Sequence, residues 1–294
     1  LANGDRIPMT DNTKIMFENE TLINASPATV SRCGIIYVSQ SDLGWTPIVQ
    51  SWNKLNSKND PDLTKFKDLC LKCFYKYAGD NETPADPGPV FNLIARECTP
   101  VMSAPKGGAM KATTRTLDGL WGHCSVMKCK DVELMVERLF LFALTWGAGG
   151  LLEYEDRRKW DAFLREQAGD SADKVFPTYK IETDTIYDYW VDEISGEWIR
   201  WSADSWEYPH VAFGGKLEFA SLLVPTSDST RALYIIKQNQ VNSGPILITG
   251  SQGTAKTSTA LMWSETFDSE VMGFKFINFS SASVMINFQN AIEE

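Results

Sequence analysis

Apolar positions along this chain change their period twice, which divides it into three parts. Residues 13–19, TKIMFEN, alternate Ile15 and Phe17 with more polar neighbours and read as a strand. A short polar helix or turn follows in NASPATVSR, and GIIYVS (34–39) reads as a second strand with Arg32 just before it. From about 42 to 168 the spacing becomes helical. PIVQSWNKL and DPDLTKFKDLCLKCFYKY are candidate helices, the second capped by Asp60 with Pro61 in its first turn. Residues 79–89 form a polar Pro/Gly connector, VFNLIARE follows, and SAPKGGAMKATTR reads as a loop because small residues dominate it. The longest helix is predicted over 130–146, capped by Asp131, with Val132, Met135, Val136, Leu139, Phe140 and Ala143 as its apolar stripe. EDRRKWDAFLREQ (155–167) places Trp160, Phe163 and Leu164 on an inward face.

Near residue 170 the pattern changes again. TIYDYWVDEISGEWIRWS is a hairpin candidate, aromatic and β-branched residues flanking the turn pair Ser195-Gly196. Residues 226–240 read as a helix opened by a Ser/Asp cap. GPILITG is then a buried strand, KTSTALMWSETF a helix, FKFINFSS (274–281) another strand, and SVMINFQNAIEE the opening of a helix. Pieces of an α/β unit thus stand at both ends, with a helical block between them.

The join between GPILITG and the next helix, GSQGTAKTSTA (250–260), carries the clearest chemistry. A nucleotide's phosphates need converging N–H donors and a cation. A tight loop from a strand into a helix N-terminus supplies the donors, because first-turn amides lack intrahelical partners. Here Gly250 opens the loop and Gly253 permits tight geometry. Lys256 is the cation for the phosphates, and Thr257 is the hydroxyl on the Mg²⁺ side. Ser251, Gln252, Thr254, Ala255 and Ser258 complete the cradle. Ala255 departs from the usual glycine: its methyl is acceptable at negative φ and strained at positive φ. The competing reading is a Gly/Ser/Thr-rich turn with an incidental lysine. Hydrolysis also needs acidic residues to complete the magnesium shell and orient water, expected on a later strand. The sequence stops at Glu294 before any such strand, so it shows a binding cradle with no Walker B carboxylate.

Composition narrows the classes. Across 294 residues the net charge is −10, which gives no general attraction for nucleic acid or an anionic membrane. The longest apolar run, LFLFALTWGAGGLL (139–152), is too short for a membrane span and reads as a core helix ending at Gly147. The amino terminus has no signal-peptide core and no initiator Met, so the chain is expected to start within a longer protein. Six cysteines lie at 33, 70, 73, 98, 124 and 129. Cys70-x-x-Cys73 with His123, Cys124 and Cys129 raises zinc, but its helical setting and the lack of a second pair favour reduced core thiols. His123 and His210 fit neither a triad nor a metal site and read as structural.

Two regions resemble one family. LANGDRIPM…KIMFENETLINASPATVSRCGIIYVSQSDLGW is similar to the end of the large subdomain of the second AAA+ module of dynein heavy chains, axonemal ones above all. VERLFLFALTWGAGGLLEYEDRRKWDAFLRE resembles the helical small subdomain that follows, and YDYWVDEISGEWIRWS…LLVPTSDSTRALYIIKQNQVNSGPILITGSQGTAKTSTA…FINFSSASV the start of the third module. The implied fold is α/β, of the AAA+ P-loop NTPase type: a partial parallel sandwich (1–41), a helical small subdomain (42–169), and a second partial sandwich with a β-hairpin insertion (170–294). The resemblance implies ATP or ADP with Mg²⁺ at the loop, whose Ala-Lys-Thr ending is familiar in that module. Val224, Pro225 and Thr226 are expected beside the adenine. Arg32 matches an arginine finger acting in trans on the preceding module, although by its residues alone it reads as a surface or capping arginine. Glu18 or Asn19 matches a polar sensor, or is a plain strand-end pair.

The parent is then expected to be an ATP-driven microtubule motor of the ciliary or flagellar axoneme. Its partners would be the rest of the AAA+ ring and linker, the microtubule through distant parts, and intermediate and light chains through a tail. Nucleic acid and membrane are not expected partners. Two other readings are a nucleotide-binding scaffold without turnover and a midasin-like AAA+ remodelling ATPase.

Overall fold

A computed structural model describes residues 10–38, 44–55, 60–79, 86–123, 128–207, 222–240, 244–281 and 283–293. Cys124 and His210 lie outside these residues, as does the side chain of His123. The chain divides into two compact units, Leu1–Asp42 and Leu43–Glu294. In the first, one short helix, α1 (Pro27–Val30), is opened by Ser26, whose Oγ accepts the Thr29 amide at 3.2 Å.

The second unit is built on helices, two of which are started by an aspartate cap. α2 (Thr46–Lys54) is followed by α3 (Pro61–Ala78), where the Asp60 carboxylate accepts the Asp62 and Leu63 amides at 3.0 and 3.1 Å. α4 spans Pro89–Glu97 and α5 spans Lys106–His123. Asp131 opens α6 (Val132–Gly147) by accepting the Leu134 amide at 3.1 Å. α7 (Arg157–Ala168) and the short α8 (Ala172–Val175) follow. α6 is the central element. Beyond the expected stripe, Arg138, Leu141, Phe142, Leu144 and Thr145 are buried as well, so it is enclosed on all sides. Phe140 meets Phe74 edge-on at 4.8 Å and stacks on Tyr77 at 5.9 Å, with Trp45 and Trp52 completing the aromatic core. Cys70 is fully buried there, and burial pushes its thiol well above the usual range; Cys73 is pushed up to about 12 by the same cause. Buried Lys67 donates to Trp52 O at 3.0 Å and Leu55 O at 2.7 Å, which closes the end of α2. Burial lowers its pKa against the pull of nearby Asp118.

The segment expected as a loop at 103–115 lies largely inside α5, which is a correction. Its small residues serve packing. A Cβ on Gly147 would lie 2.2 Å from Thr113 Oγ1, and one on Gly119 would lie 2.0 Å from Gln238 O, so both helix neighbours approach without side chains between. Thr113 and Thr116 return their hydroxyls to Ala109 O and Ala112 O at 3.0 Å, leaving α5 with no unsatisfied hydroxyl at these contacts.

The hairpin forms as expected: β1 (Tyr189–Val191) pairs antiparallel with β2 (Trp198–Arg200), Trp190 opposite Ile199. Its turn is wider than the pair Ser195-Gly196. Asp192 N bonds Glu197 O at 2.9 Å, Gly196 adopts φ 70°, and Asp192 Oδ2 accepts the Ser195 amide and hydroxyl at 2.8 and 2.6 Å. Arg138 ties the hairpin to α6, donating to Gly196 O at 2.7 Å and Lys174 O at 2.8 Å and pairing with Glu197 at 3.0 Å.

α9 (Ser227–Gln240) packs on α5 and on α10 (Lys256–Glu265); α11 spans Met285–Glu293. Tyr234 of α9 sits among Phe142, Trp190 and Trp201 at 5.4–5.8 Å, and the Arg231 guanidinium lies 5.5 Å from the Trp146 ring.

The other four expected strands, at 13–19, 34–39, 244–250 and 274–281, carry no ladder among the described residues. A strand in a parallel sheet takes its backbone bonds wholly from neighbours, and the described residues supply none to these segments. Their apolar side chains are exposed accordingly: Met16, Ile36, Leu247 and Phe279 among them. Among the described residues, no helix is long and apolar enough to cross a membrane, and no group of three or more His, Cys, Asp or Glu side chains has metal-site geometry.

Candidate functional site

The loop at 250–255 enters α10 through two left-handed residues. Gly253 has φ 77° and Ala255, immediately before the first helical residue, has φ 57° and ψ 23°. Ala255 is the one non-glycine residue at positive φ among the described residues. The condition set by the sequence therefore resolves on the strained side, at about 1–2 kcal/mol for an L-residue in this region. What the strain secures is direction: it brings Lys256, Thr257 and Ser258 into the first turn, where their amides have no partner within the helix. The first helical bond is Thr259 N to Ala255 O, at 2.8 Å. A Cβ on Gly250 would meet Thr254 Oγ1 at 2.8 Å, so a side chain there would push that hydroxyl aside where the loop folds back.

Lys256 turns inward. Its Nζ donates to Ser251 O at 2.5 Å and Gly250 O at 2.9 Å, while Thr254 Oγ1 donates to Ser251 O at 2.9 Å. The loop's own ammonium thus fills its centre. A phosphate would have to draw that ammonium from two carbonyls, an exchange that stronger charge-assisted bonds can drive. The residues fit a phosphate and Mg²⁺ in kind: orphan helix amides, one ammonium at the centre, and Thr257 exposed on the first turn. Gln252 is exposed at the loop's outer edge, and Ser258 is half-buried on α10.

Thr226 opens α9 in place of the expected Ser/Asp cap. Thr226 N donates to Ser229 Oγ at 2.8 Å and Ser229 N donates to Thr226 Oγ1 at 3.1 Å, a reciprocal cap. Val224 is exposed and Pro225 half-buried just ahead of it. Because α9 packs on α10, the segment expected at the base and the loop expected at the phosphates are carried on adjacent helices. Arg32 belongs to the first unit, exposed just after α1, with its amide bonded to Thr29 O at 3.2 Å. Glu18 and Asn19 are exposed on the extended segment of that unit. Two features escaped the sequence: the inward fold of Lys256, for which no local pattern exists, and the seating of α9 on α5, for which Gly119 was the available signal.

Two family models match the chain in tandem: the dynein heavy chain AAA lid domain over residues 88–203, and the P-loop containing dynein motor region over residues 211–294. The second match carries the α/β class of the segments at 244–250 and 274–281, which lack a ladder here. Among curated proteins, the chain is 35% identical over its full length to human dynein axonemal heavy chain 8 and 34% to the dynein gamma chain of the flagellar outer arm of Chlamydomonas reinhardtii. It is 31% identical over its full length to human dynein axonemal heavy chain 2. The chain spans about 6% of the length of each of these relatives. Lid model, P-loop model and full-length matches run in one order along the sequence, and the chain belongs to the dynein heavy chains, as a segment of their AAA+ motor region.

Proposed function

We propose that the loop from Gly250 to Thr257 binds the phosphates of ATP or ADP, with residues 170–294 forming the start of a third AAA+ module. Residues 1–41 would close the second module and 42–169 would form its lid. The observation that carries this reading is the left-handed Ala255 set directly before α10, with Lys256 Nζ at the loop's centre. In that arrangement the Lys256 ammonium passes to phosphate oxygens, the first-turn amides of α10 donate to them, and Thr257 Oγ faces the metal. Bound Mg²⁺ would supply neutralising charge to the phosphates. Val224 and Pro225 offer an apolar wall to the base, and Thr226 fixes the start of α9 behind them.

Arg32 acts away from this loop, as a finger donating to the nucleotide of the preceding module. The whole protein is then an ATP-driven microtubule motor of a ciliary or flagellar axoneme, and the third-module site is regulatory, its occupancy gating the ring's response to the main site. The axonemal and flagellar names of the matched relatives support that setting.

In the intact heavy chain, Lys256→Ala is expected to abolish saturable labelling of the peptide carrying residues 250–275 by an ATP γ-azidoanilide and to slow motility. Unchanged ATP affinity at that peptide refutes the assignment. Arg32→Ala is expected to lower turnover at the preceding module by roughly 10³-fold or more with near-normal nucleotide affinity there. Unaltered turnover removes Arg32 from the mechanism.

A further inference from the structure

Helix α5 touches two parts of the chain that lead into the phosphate loop. At Gly119 its bare Cα faces Gln238: a Cβ there would lie 2.0 Å from Gln238 O and 2.7 Å from Gln238 C. One residue on, Asn239 Nδ2 donates to Thr116 Oγ1 at 3.1 Å. Further along the same face, the Arg115 guanidinium lies against Gly244, where a Cβ would meet its Cζ at 3.1 Å. Gln238 and Asn239 belong to the last turn of α9, which packs on α10; Gly244 opens the extended run that ends at Gly250. Both approaches to the loop are therefore seated on one helix that lies wholly within the segment matched as the lid domain.

α5 cannot yield when that seat is disturbed. On another side of α5, Gly147 of α6 meets Thr113 without a side chain between them, a Cβ there lying 2.6 Å from Thr113 N. Close-packed helices transmit such a displacement because no void absorbs it. Gln238 is itself fully buried and donates through Nε2 to Glu193 Oε1 at 3.3 Å, so this turn of α9 is held on a second side by the hairpin loop.

We propose that Gly119 is a positioning residue for the phosphate loop, its missing side chain setting the seat of α9 and Gly244 and, through them, the geometry of residues 250–257. This rests on the reading of that loop as a nucleotide site. A methyl group at Gly119 displaces the Gln238 backbone by an ångström or more, because atoms do not approach a Cβ at 2.0 Å. A displacement of that size at a binding constellation costs roughly 10- to 100-fold in its performance. Gly122 is on the same helix, and a Cβ added there meets nothing within 4 Å. Gly122→Ala thus makes the same change in helix propensity without the contact.

The test is photolabelling of the intact heavy chain with Mg²⁺ and an ATP γ-azidoanilide, whose reactive group sits at the phosphate end, followed by digestion and quantitation of the peptide carrying residues 250–275 against labelled peptides from the chain's other nucleotide sites. Gly119→Ala is expected to raise the half-saturating concentration at this peptide by roughly 10- to 100-fold, leaving the other sites unchanged and Gly122→Ala at wild-type values. Wild-type saturation with Gly119→Ala, while Lys256→Ala abolishes labelling, overturns the inference and leaves the nucleotide site standing. An equal loss at every site, or the same loss with Gly122→Ala, overturns it as well, since either marks general destabilisation. Absence of saturable labelling in the wild-type chain sinks the nucleotide reading and this inference with it. If Gly119→Ala does not fold, Thr116→Val removes the bond to Asn239, along with the hydroxyl's return to Ala112 O inside α5. That variant is expected to shift half-saturation by roughly two- to tenfold, and no shift overturns the proposal.

Discussion

Ala255 offers the sharpest physical test of the loop, because two substitutions there act in opposite directions on one backbone angle. At φ 57° the alanine pays about 1–2 kcal/mol to hold the left-handed conformation. Ala255→Gly removes that strain but adds about 0.4–1 kcal/mol of conformational freedom to the unfolded chain. The balance is a gain of about 0–1.6 kcal/mol for the ordered loop, centred on about 0.8. Through pre-organisation, that tightens nucleotide binding by roughly two- to fivefold. Ala255→Val places a β-branched residue where such residues are true outliers. The chain then leaves the left-handed region, the Thr259 N to Ala255 O bond of 2.8 Å opens, and the first-turn amides lose their common direction. Affinity at the loop is expected to fall at least tenfold. Titration of the peptide carrying residues 250–275 with an ATP γ-azidoanilide gives the affinities, and hydrogen exchange at the Thr259 amide reads the backbone. Weaker binding with glycine, or wild-type binding with valine, refutes the claim that positive φ at residue 255 orients the cradle.

The helical body gives two further tests. Arg138→Met keeps the aliphatic stem but removes the donors to Gly196 O and Lys174 O, leaving both carbonyls without their charged partner. At about 1.5–3 kcal/mol for each bond to a charged group, the loss is about 3–6 kcal/mol. It should appear as faster hydrogen exchange at the amides of Trp198–Arg200, and unchanged protection there would contradict it. Arg200 binds the buried Asp184 carboxylate through Nε and Nη2, both at 3.0 Å, and holds its pKa below the usual carboxylate range, aided by the Tyr189 hydroxyl. The folded-state value is the depressed one, so this contribution is complete above about pH 4, the value for an unfolded Asp, and fades as pH falls through the folded value. Asp184→Asn should therefore flatten the acid limb of stability measured by chemical denaturation between about pH 2 and 4. An acid limb as steep as wild type would assign the loss to other carboxylates.

Legibility followed how local each signal was. Asp60 and Asp131 announced their helices because a cap is a contact between residues two and three positions apart. The hairpin was readable for the same reason. α5 was missed because its sequence carries two adjacent glycines, Gly107 and Gly108, which count against a helix on propensity. Its helicity comes from burial against α6 and α9, and tertiary packing outweighs a cost of about 1 kcal/mol per glycine. The four sheet strands show the converse. Their apolar patterns were plain, yet a pattern records which face a strand would bury and supplies no hydrogen-bonding partner.

The phosphate loop joins both cases. Spacing alone proposed Gly250, Lys256 and Thr257, because an apolar run, a loop and a helix are consecutive and the donors would belong to the backbone. The angle at residue 255 was a fork that spacing could not decide: a methyl in place of glycine means either a different turn or the same turn under strain. The left-handed value selects the second. A conformation that disfavours its own residue persists only when its surroundings fix it. Here those surroundings are the Lys256 ammonium drawn onto two loop carbonyls and the start of α10, itself packed on α9. The chain of contacts runs back to Gly119, where a residue far from the loop in sequence is denied a side chain. Local sequence therefore states which groups can meet a phosphate, and the packing of a neighbouring helix decides how well they are aimed.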